Sequence, residues 1–222
     1  MLLLRFLSRW PLPLLYALTD GVYFVIYHIW GFRKSLSKTN LTNSFPERKS
    51  EDIEAIARTS YRNACDLIAE VLKGASMAPA DLRARMRITN LEVLEPWIKA
   101  ERPVVLLASH HCNWEWLLQA ACLELGVSVD AVYKPLRVGA IDRFMLASRS
   151  RFGGNPIPVK NFLIEVIKRR QGARIIALVA DQTPLASEEK HWTRFLNQDT
   201  AFFVGADKIA RWASLTPPIG VF

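Results

Sequence analysis

The chain has 222 residues, half of them hydrophobic, and a net charge of +8. This length suffices for one α/β domain with a short appendage, and the composition excludes a disordered or fibrous chain. The three cysteines show no CxxC spacing, which excludes a disulfide scaffold and a structural zinc site and is typical of a reducing compartment.

Residues 1–34 predict a membrane anchor. The apolar stretch from Trp10 to Trp30 has the roughly 20 residues that a bilayer-spanning helix needs, and its aromatic residues suit an interfacial position. Asp20 in its middle is costly for a simple span, and the stretch is too long for a cleaved signal peptide. We expect an anchor that spans once or lies in the interface as a hairpin of helices, with an ordinary buried helix as the alternative.

Residues 35–86 predict a linker followed by one amphipathic helix. Residues 35–50 are polar with one proline, which is typical of a linker. Residues 51–73 carry apolar side chains at helical spacing, and Gly74 suits the end of that helix. Pro79 and the charged residues after it predict a second connection.

From residue 87 onward, short apolar runs alternate with helical segments. Strands are predicted at 104–108, 127–133, 156–159, 174–180 and 218–222, and helices at 114–125, 141–152, 162–170 and 205–213. This alternation predicts an α/β domain over residues 87–222, with a mostly parallel sheet flanked by helices. Ligands of such sheets bind beyond the carboxyl ends of the strands. The last predicted strand reaches Phe222 without a closing helix, which is consistent with a domain truncated at the C-terminus.

The positive charge is concentrated in residues 131–174, which hold ten lysines and arginines against two acidic residues. The rest of the chain balances, so this stretch carries the whole excess. Such a basic face attracts phosphates, an anionic membrane surface or an acidic protein, although a solvated surface without a partner has the same composition. The basic residues are not interleaved with exposed aromatic residues as in proteins that bind single strands, so we expect no nucleic-acid partner.

The segment from Ser109 to Trp116 follows a predicted strand and opens a predicted helix, where a catalytic loop is expected. His110 and Glu115 form an H-x4-E pattern in it. An imidazole can take a proton from an attacking hydroxyl near neutral pH, and a carboxylate on its other nitrogen fixes the tautomer. The substrate would bring the hydroxyl and a thioester the acyl group. Backbone N–H groups near Asn113 would stabilise the oxyanion.

Several alternatives remain open at this segment. His111 lies one helical turn from Glu115 and is the other candidate base. Cys112 beside a histidine can be interpreted as a thiol nucleophile, but adjacent residues rarely face each other. A third ligand cluster for a metal ion does not stand out, so we expect no metal. Asp181, at the end of a predicted strand, is either a cap or a site residue.

Segments along the whole chain resemble the lipid A biosynthesis acyltransferase family of the lysophospholipid acyltransferase superfamily. They are H-x-x-N-W-E at 110–115, Y-K-P-L-R at 133–137, R-F-G-G at 151–154, D-Q at 181–182 and a glycine-then-helix segment at 203–211. The H-x4-E pattern alone occurs by chance, but the segments in this order are specific. The resemblance implies a glycerolipid acyltransferase-like fold.

The family resemblance implies transfer of a fatty acyl chain to a lipid hydroxyl, usually of a lipid A precursor. The implied acyl donor is a thioester of acyl carrier protein or of coenzyme A, and no further cofactor is implied. The implied location is the cytoplasmic face of the bacterial inner membrane. His110 and Glu115 take the positions of the catalytic dyad. Substrate-binding roles are expected at Asn113, Lys134, Arg137, Arg151, Asp181 and Gln182. The expected partners are acyl carrier protein, the lipid acceptor and an anionic membrane surface.

Three features depart from the family pattern. Cys112 stands where glycine is usual, Lys134 stands where arginine is common, and the chain is shorter at the C-terminus. Two other functions compete with the family's own. A lysophospholipid or glycerol-phosphate acyltransferase would usually carry aspartate in place of Glu115 and a serine in the motif. A non-catalytic basic membrane-binding protein would not need the intact pair of His110 and Glu115.

Overall fold

The structure, a computed structural model, describes residues 1–169, 172–212 and 220–221. The first part is helical: α1 (Leu2–Ser8), α2 (Leu12–Phe24) with a π-helical continuation (Val25–Trp30), α3 (Lys34–Ser44), α4 (Ser50–Gly74) and α5 (Pro79–Arg85). The second part alternates: α6 (Glu95–Lys99), β1 (Pro103–Ala108), α7 (Trp114–Glu124), β2 (Ser128–Tyr133), α8 (Gly139–Arg149), β3 (Gly154–Pro158), α9 (Phe162–Lys168), β4 (Arg174–Val179), β5 (Lys190–Phe195), β6 (Gln198–Phe203), α10 (Gly205–Trp212) and β7 (Gly220–Val221).

The sheet confirms the predicted α/β architecture. Its strand order is β3-β2-β4-β1-β7, and every pairing is parallel. Successive side chains point to opposite faces. Val104, Val129 and Ile175 pack with α7 on one face, while Val105 and Ile176 pack with α9 and α10 on the other. Helices therefore cover both faces, which explains why the strands are apolar runs.

The predicted elements of this domain are found within two residues of their expected bounds, except that α8 ends at Arg149, three residues before the predicted end of that helix at residue 152. Residues 170, 213, 218, 219 and 222 of the predicted elements lie outside the described residues. The described part of the last strand is β7, which pairs with β1 at Leu106 and Leu107.

The predicted linker at 35–50 and the predicted connection after Pro79 were wrong, because both contain helices. α3 packs along α4, and its last residue Ser44 is hydrogen-bonded to Gln198 of β6. α5 has Pro79 in its first turn, where a missing N–H costs nothing, and it buries Leu82 completely. α3 has no charged residue of the matching sign in its first or last turn and is stabilised mainly by its tertiary contacts. α5 has Pro79 and Asp81 in its first turn and Arg85 in its last, signals of a helix that were interpreted as a connection.

The hairpin β5–β6 was not predicted. It lies between β4 and α10 and forms a separate two-stranded antiparallel sheet. Its turn residues Leu196 and Asn197 both have positive φ, 47° and 60°, as a two-residue hairpin turn of type I′ requires. The sequence does not predict this turn, because a type I′ turn usually carries Asn-Gly or Asp-Gly and here it carries Leu-Asn.

One described helical segment, Leu12–Trp30, is long and apolar enough to cross a membrane, a test that a buried helix or a signal sequence also passes. In the structure it packs along α4 through polar pairs. Tyr16 donates a hydrogen bond to Glu70 at 3.0 Å, and Asp20 forms an ion pair with Arg62 at 2.7 Å. The carboxylate that is costly inside a bilayer is therefore paired with a cation of α4, and the pair lies at the surface, 48% and 57% exposed.

Candidate active site

The loop between β1 and α7 is shaped by the start of the helix. Asn113 is the N-cap of α7, and its Oδ1 accepts the backbone N–H of Trp116 at 2.9 Å. Cys112 has a φ of 50°. A left-handed conformation costs a non-glycine residue roughly 1–2 kcal/mol, so the loop keeps the tight turn that glycine would adopt more easily.

His110 and Asp181 are brought together by the register of the sheet. β1 and β4 are adjacent, with Ala108 opposite Val179, so the residues two positions beyond each strand meet at the same edge. The His110 Nδ1 lies 2.7 Å from Asp181 Oδ1, and the His110 backbone N–H donates to Asp181 Oδ2 at 2.8 Å. The carboxylate on the imidazole is therefore Asp181, and not Glu115 as the spacing suggested.

The charge of Asp181 sets the tautomer of His110. Partial burial raises the pKa of the Asp181 carboxyl, but the hydrogen bonds from the side chain and backbone of His110 outweigh it, and the pKa lies below its usual value. The ionised carboxylate can only accept a hydrogen bond. The proton must then sit on Nδ1, which leaves the lone pair of Nε2 free to take a proton.

Glu115 forms a buried ion pair with Arg149. Glu115 lies in the first turn of α7 and is 6% exposed, while Arg149 is the last residue of α8. The Arg149 Nε donates to Glu115 Oε2 at 2.9 Å, and Nη2 donates to Oε1 at 2.5 Å. This bidentate pairing joins two helices beside the site. The ring of Tyr133, 5.5 Å from the guanidinium carbon, covers the cation.

Glu70 of α4 connects the loop between β1 and α7 to the N-terminal helices. Its Oε2 accepts a hydrogen bond from the Asn113 side chain at 2.9 Å, and its backbone carbonyl accepts one from the Trp116 indole at 2.9 Å. Its other oxygen accepts the hydroxyl of Tyr16 on α2. Glu70 thus links the loop that carries His110 to Tyr16, which belongs to the segment predicted as an anchor.

A cavity of about 540 Å³ adjoins His110 and runs between α7 and one face of the sheet. Its interior is apolar and includes Leu106, Leu118, Ala121, Val129, Ile175 and Ala177. The polar lining includes His110, Glu115, Lys134, Arg149 and Gln182. Ile175 lies four residues below the end of β4, so the cavity extends about 13 Å along the sheet at about 3.3 Å per residue. Its volume falls in the range of roughly 300–1,000 Å³ typical of small-ligand pockets.

The structure brings together only part of the predicted substrate-binding set. The Gln182 amide nitrogen lies 3.5 Å from His110 Nε2, and Lys134 lines the cavity. Arg137 is exposed outside the cavity lining. Arg151 points elsewhere, since its guanidinium donates to the carbonyl oxygens of Gly74 and, at 2.8 Å, of Met77. Within the described residues, no three His, Cys, Asp or Glu side chains form a group that would hold a metal ion.

Sequence reasoning missed two residues of the site, Arg149 and Glu70. Arg149 is one of ten basic residues in its stretch, and no pattern distinguishes it from the others. Glu70 lies on the amphipathic helix α4, where an acidic residue is ordinarily solvated. Hydrogen-bond partners that lie 34 and 43 positions away in the chain reveal both residues, and only the fold supplies those partners.

The fold and the site define an α/β protein with a histidine–aspartate pair at the edge of an apolar cavity, an arrangement suited to chemistry on a lipid chain. Residues 1–217 match the family model of bacterial lipid A biosynthesis acyltransferases. The chain belongs to that family, and at the level of the family its activity is acyl transfer in lipid A biosynthesis. A search of curated proteins found no significant match.

Proposed function

We propose that this protein transfers a fatty acyl chain from a thioester donor to a hydroxyl of a lipid A precursor, with His110 as the general base. The observation that carries the proposal is the position of His110. Its Nδ1 is bonded to an ionised carboxylate, and the residue lines an apolar cavity large enough for an acyl chain. Family membership supplies the chemistry and the class of acceptor.

The proposed reaction needs no nucleophile from the protein. The His110 Nε2 takes the proton of the acceptor hydroxyl while its oxygen attacks the thioester carbonyl carbon. The tetrahedral intermediate then collapses, the C–S bond breaks, and the imidazolium returns the proton to the leaving thiolate. Asp181 stabilises the imidazolium between these steps through its bond to Nδ1.

Charge on the carbonyl oxygen would be stabilised by cations that line the cavity. Arg149 uses Nε and Nη2 to bind Glu115, so Nη1 would face the oxyanion. Lys134, which follows β2, supplies a second positive charge at the same cavity. Glu115 would then act by fixing the position of Arg149, which revises its expected role as the partner of His110.

The acyl chain would lie in the apolar cavity, with its thioester beside His110. Each buried CH₂ contributes about 0.8 kcal/mol, so a cavity of this length both binds the chain and limits it. Ile175, Ala177 and Val179 of β4 share the face that lines the cavity. These side chains determine how deep a chain can enter.

The donor and the membrane position follow from charge and exposure. Acyl carrier protein is the proposed donor, because an acidic partner suits the basic stretch 131–174.

The outer face of the N-terminal helices exposes Leu14, Leu18, Phe24, Ile29 and Trp30. An exposed ion pair of Asp20 with Arg62 would be costly inside the hydrocarbon core, so the segment is best placed in the interface of the membrane, on the cytoplasmic leaflet of the bacterial inner membrane.

The proposal is tested by supplying membranes that contain the full chain with labelled acyl–acyl carrier protein or acyl–coenzyme A. Three acceptors are compared: a lipid A precursor, a lysophospholipid and glycerol 3-phosphate. We expect label on the lipid A precursor, with acyl carrier protein as the better donor. Label on either of the other acceptors alone would reassign the protein within the superfamily, and transfer to none of them would contradict the proposal.

The cavity predicts a change in chain-length preference for Ala177→Leu. The larger side chain would enter the cavity about two residues below the end of β4 and shorten it. We expect the ratio of kcat/KM for a long donor to that for a donor two carbons shorter to fall by about tenfold, as is typical of methylene discrimination in an apolar pocket. The measurement is a series of acyl donors with one acceptor. The control is Ala186→Leu, which adds the same volume at an exposed position and should leave the ratio unchanged. An unchanged ratio in Ala177→Leu would show that the acyl chain does not bind in this cavity.

A further inference from the structure

A second cleft of about 410 Å³ lies between α1, the end of α4 and α8. This cleft is separate from the cavity beside His110, because the cleft and the cavity are lined by different faces of α8. Ile141 and Met145 line the cavity, while Phe144, Ala147 and Ser148 line the cleft. The proposed transfer reaction makes no use of this cleft.

Three arginines line the cleft, and none of them has a negative partner in the part of the chain that the structure describes. They are Arg5 and Arg9 of the N-terminal segment and Arg151 behind α8. Within the described residues, none of the three forms an ion pair with a carboxylate. The remaining lining residues, Ser8, Ala75, Ser76, Phe144, Ala147 and Ser148, are uncharged. The cleft therefore has a positive potential that nothing in the described protein neutralises.

Arg151 shows that this charge is not simply solvated. Its guanidinium is held by the carbonyl oxygens of Gly74 and Met77, and partial burial lowers its pKa. These carbonyl oxygens and the Phe152 ring, 4.7 Å from the guanidinium carbon, fix the position of the cation but leave its positive charge for an anion to neutralise. Arg5 and Arg9 are one helical turn apart and present their charges to the same cleft.

The surroundings of the cleft indicate that the anion belongs to a lipid. Leu2, Leu3 and Phe6 of α1 are 84%, 67% and 59% exposed. An exposed apolar stripe beside a basic stripe is the pattern of a helix that lies in the headgroup region of a membrane. A soluble anion would need only the arginines, whereas the apolar residues offer a surface for acyl chains.

We propose that this cleft binds the phosphate group of an anionic glycerophospholipid, whose acyl chains lie against Leu2, Leu3 and Phe6. The guanidinium groups of Arg5, Arg9 and Arg151 bind the phosphate oxygens. The bound lipid fixes α1 against α8, and it does so independently of the acceptor and the acyl donor.

The test uses the purified full chain in a neutral detergent and fluorescent phosphatidylglycerol, with binding measured by anisotropy. We expect saturable binding of phosphatidylglycerol and at least about tenfold weaker binding of the Arg5→Gln/Arg9→Gln variant, since each basic residue at a lipid surface contributes several-fold. The control is Arg87→Gln/Lys99→Gln, which removes the same charge from exposed positions elsewhere. It should bind phosphatidylglycerol like the wild type.

Competitors identify the source of the phosphate. Unlabelled phosphatidylglycerol should displace the fluorescent lipid, and phosphatidylcholine should not. Equal weakening in both double variants, or equal competition by phosphatidylcholine, would overturn the proposal because the arginines would then not form a specific site. Displacement by inorganic phosphate at the same concentration, or by a lipid A precursor, would also overturn it, since the cleft would then be a phosphate or acceptor site.

Discussion

His110→Ala should lower kcat for acyl transfer by about 10²–10⁴-fold, the usual contribution of a positioned general base. The substitution removes the nitrogen that we propose takes the proton, and it leaves the cavity intact. We therefore expect the KM for the acyl donor to change little, because the variant retains the apolar residues that would bind the acyl chain. The measurement is the initial rate with the labelled donor under saturating acceptor.

The matched control is His111→Ala. His111 is exposed and does not line the cavity, so its loss should leave kcat within a few-fold of the wild type. Asp181→Asn should lower kcat as well, because the amide can donate to Nδ1 and so favour the tautomer that carries its proton on Nε2. Transfer that survives loss of His110 but not of His111 would contradict the assignment of the base.

Arg149→Met should lower the free energy of unfolding by about 3–5 kcal/mol, the usual cost of leaving a buried charge without its partner. Glu115 is buried beside the cavity and would lose its three hydrogen bonds from the guanidinium of Arg149. Transfer should also be lost, because the oxyanion would lose a proposed donor. The measurement is urea-induced unfolding of the purified protein in a neutral detergent, together with the transfer assay.

A double variant separates stability from activity. Glu115→Leu/Arg149→Met replaces the ion pair by apolar side chains of similar size, which is often neutral or stabilising. We expect it to recover most of the lost stability but not the activity. Arg143→Met, the same substitution at an exposed position of α8, should change stability by no more than about 0.5 kcal/mol. Recovery of transfer in the double variant would show that the pair is only structural.

The elements of the α/β domain were predictable because their signals are local. A buried parallel strand is a short apolar run, and the helices after β1 and β2 carry their own periodicity and caps. α3 and the hairpin β5–β6 were not predictable in the same way. They stabilise each other through contacts such as Ser44 with Gln198, which lie 154 positions apart.

The sequence by itself determined the order of strands, helices and motifs along the chain. It also placed His110 just after the first strand and Asp181 just after the fourth. Only the tertiary structure decided which groups meet. The register of β1 and β4 brings Asp181 into hydrogen-bond contact with His110, 71 positions away in the chain. The packing of α7 on α8 brings Glu115 into an ion pair with Arg149 and not with His110. Local spacing favoured the nearest carboxylate, but a hydrogen bond forms between groups that the fold brings within about 3 Å, however far apart they lie in the chain.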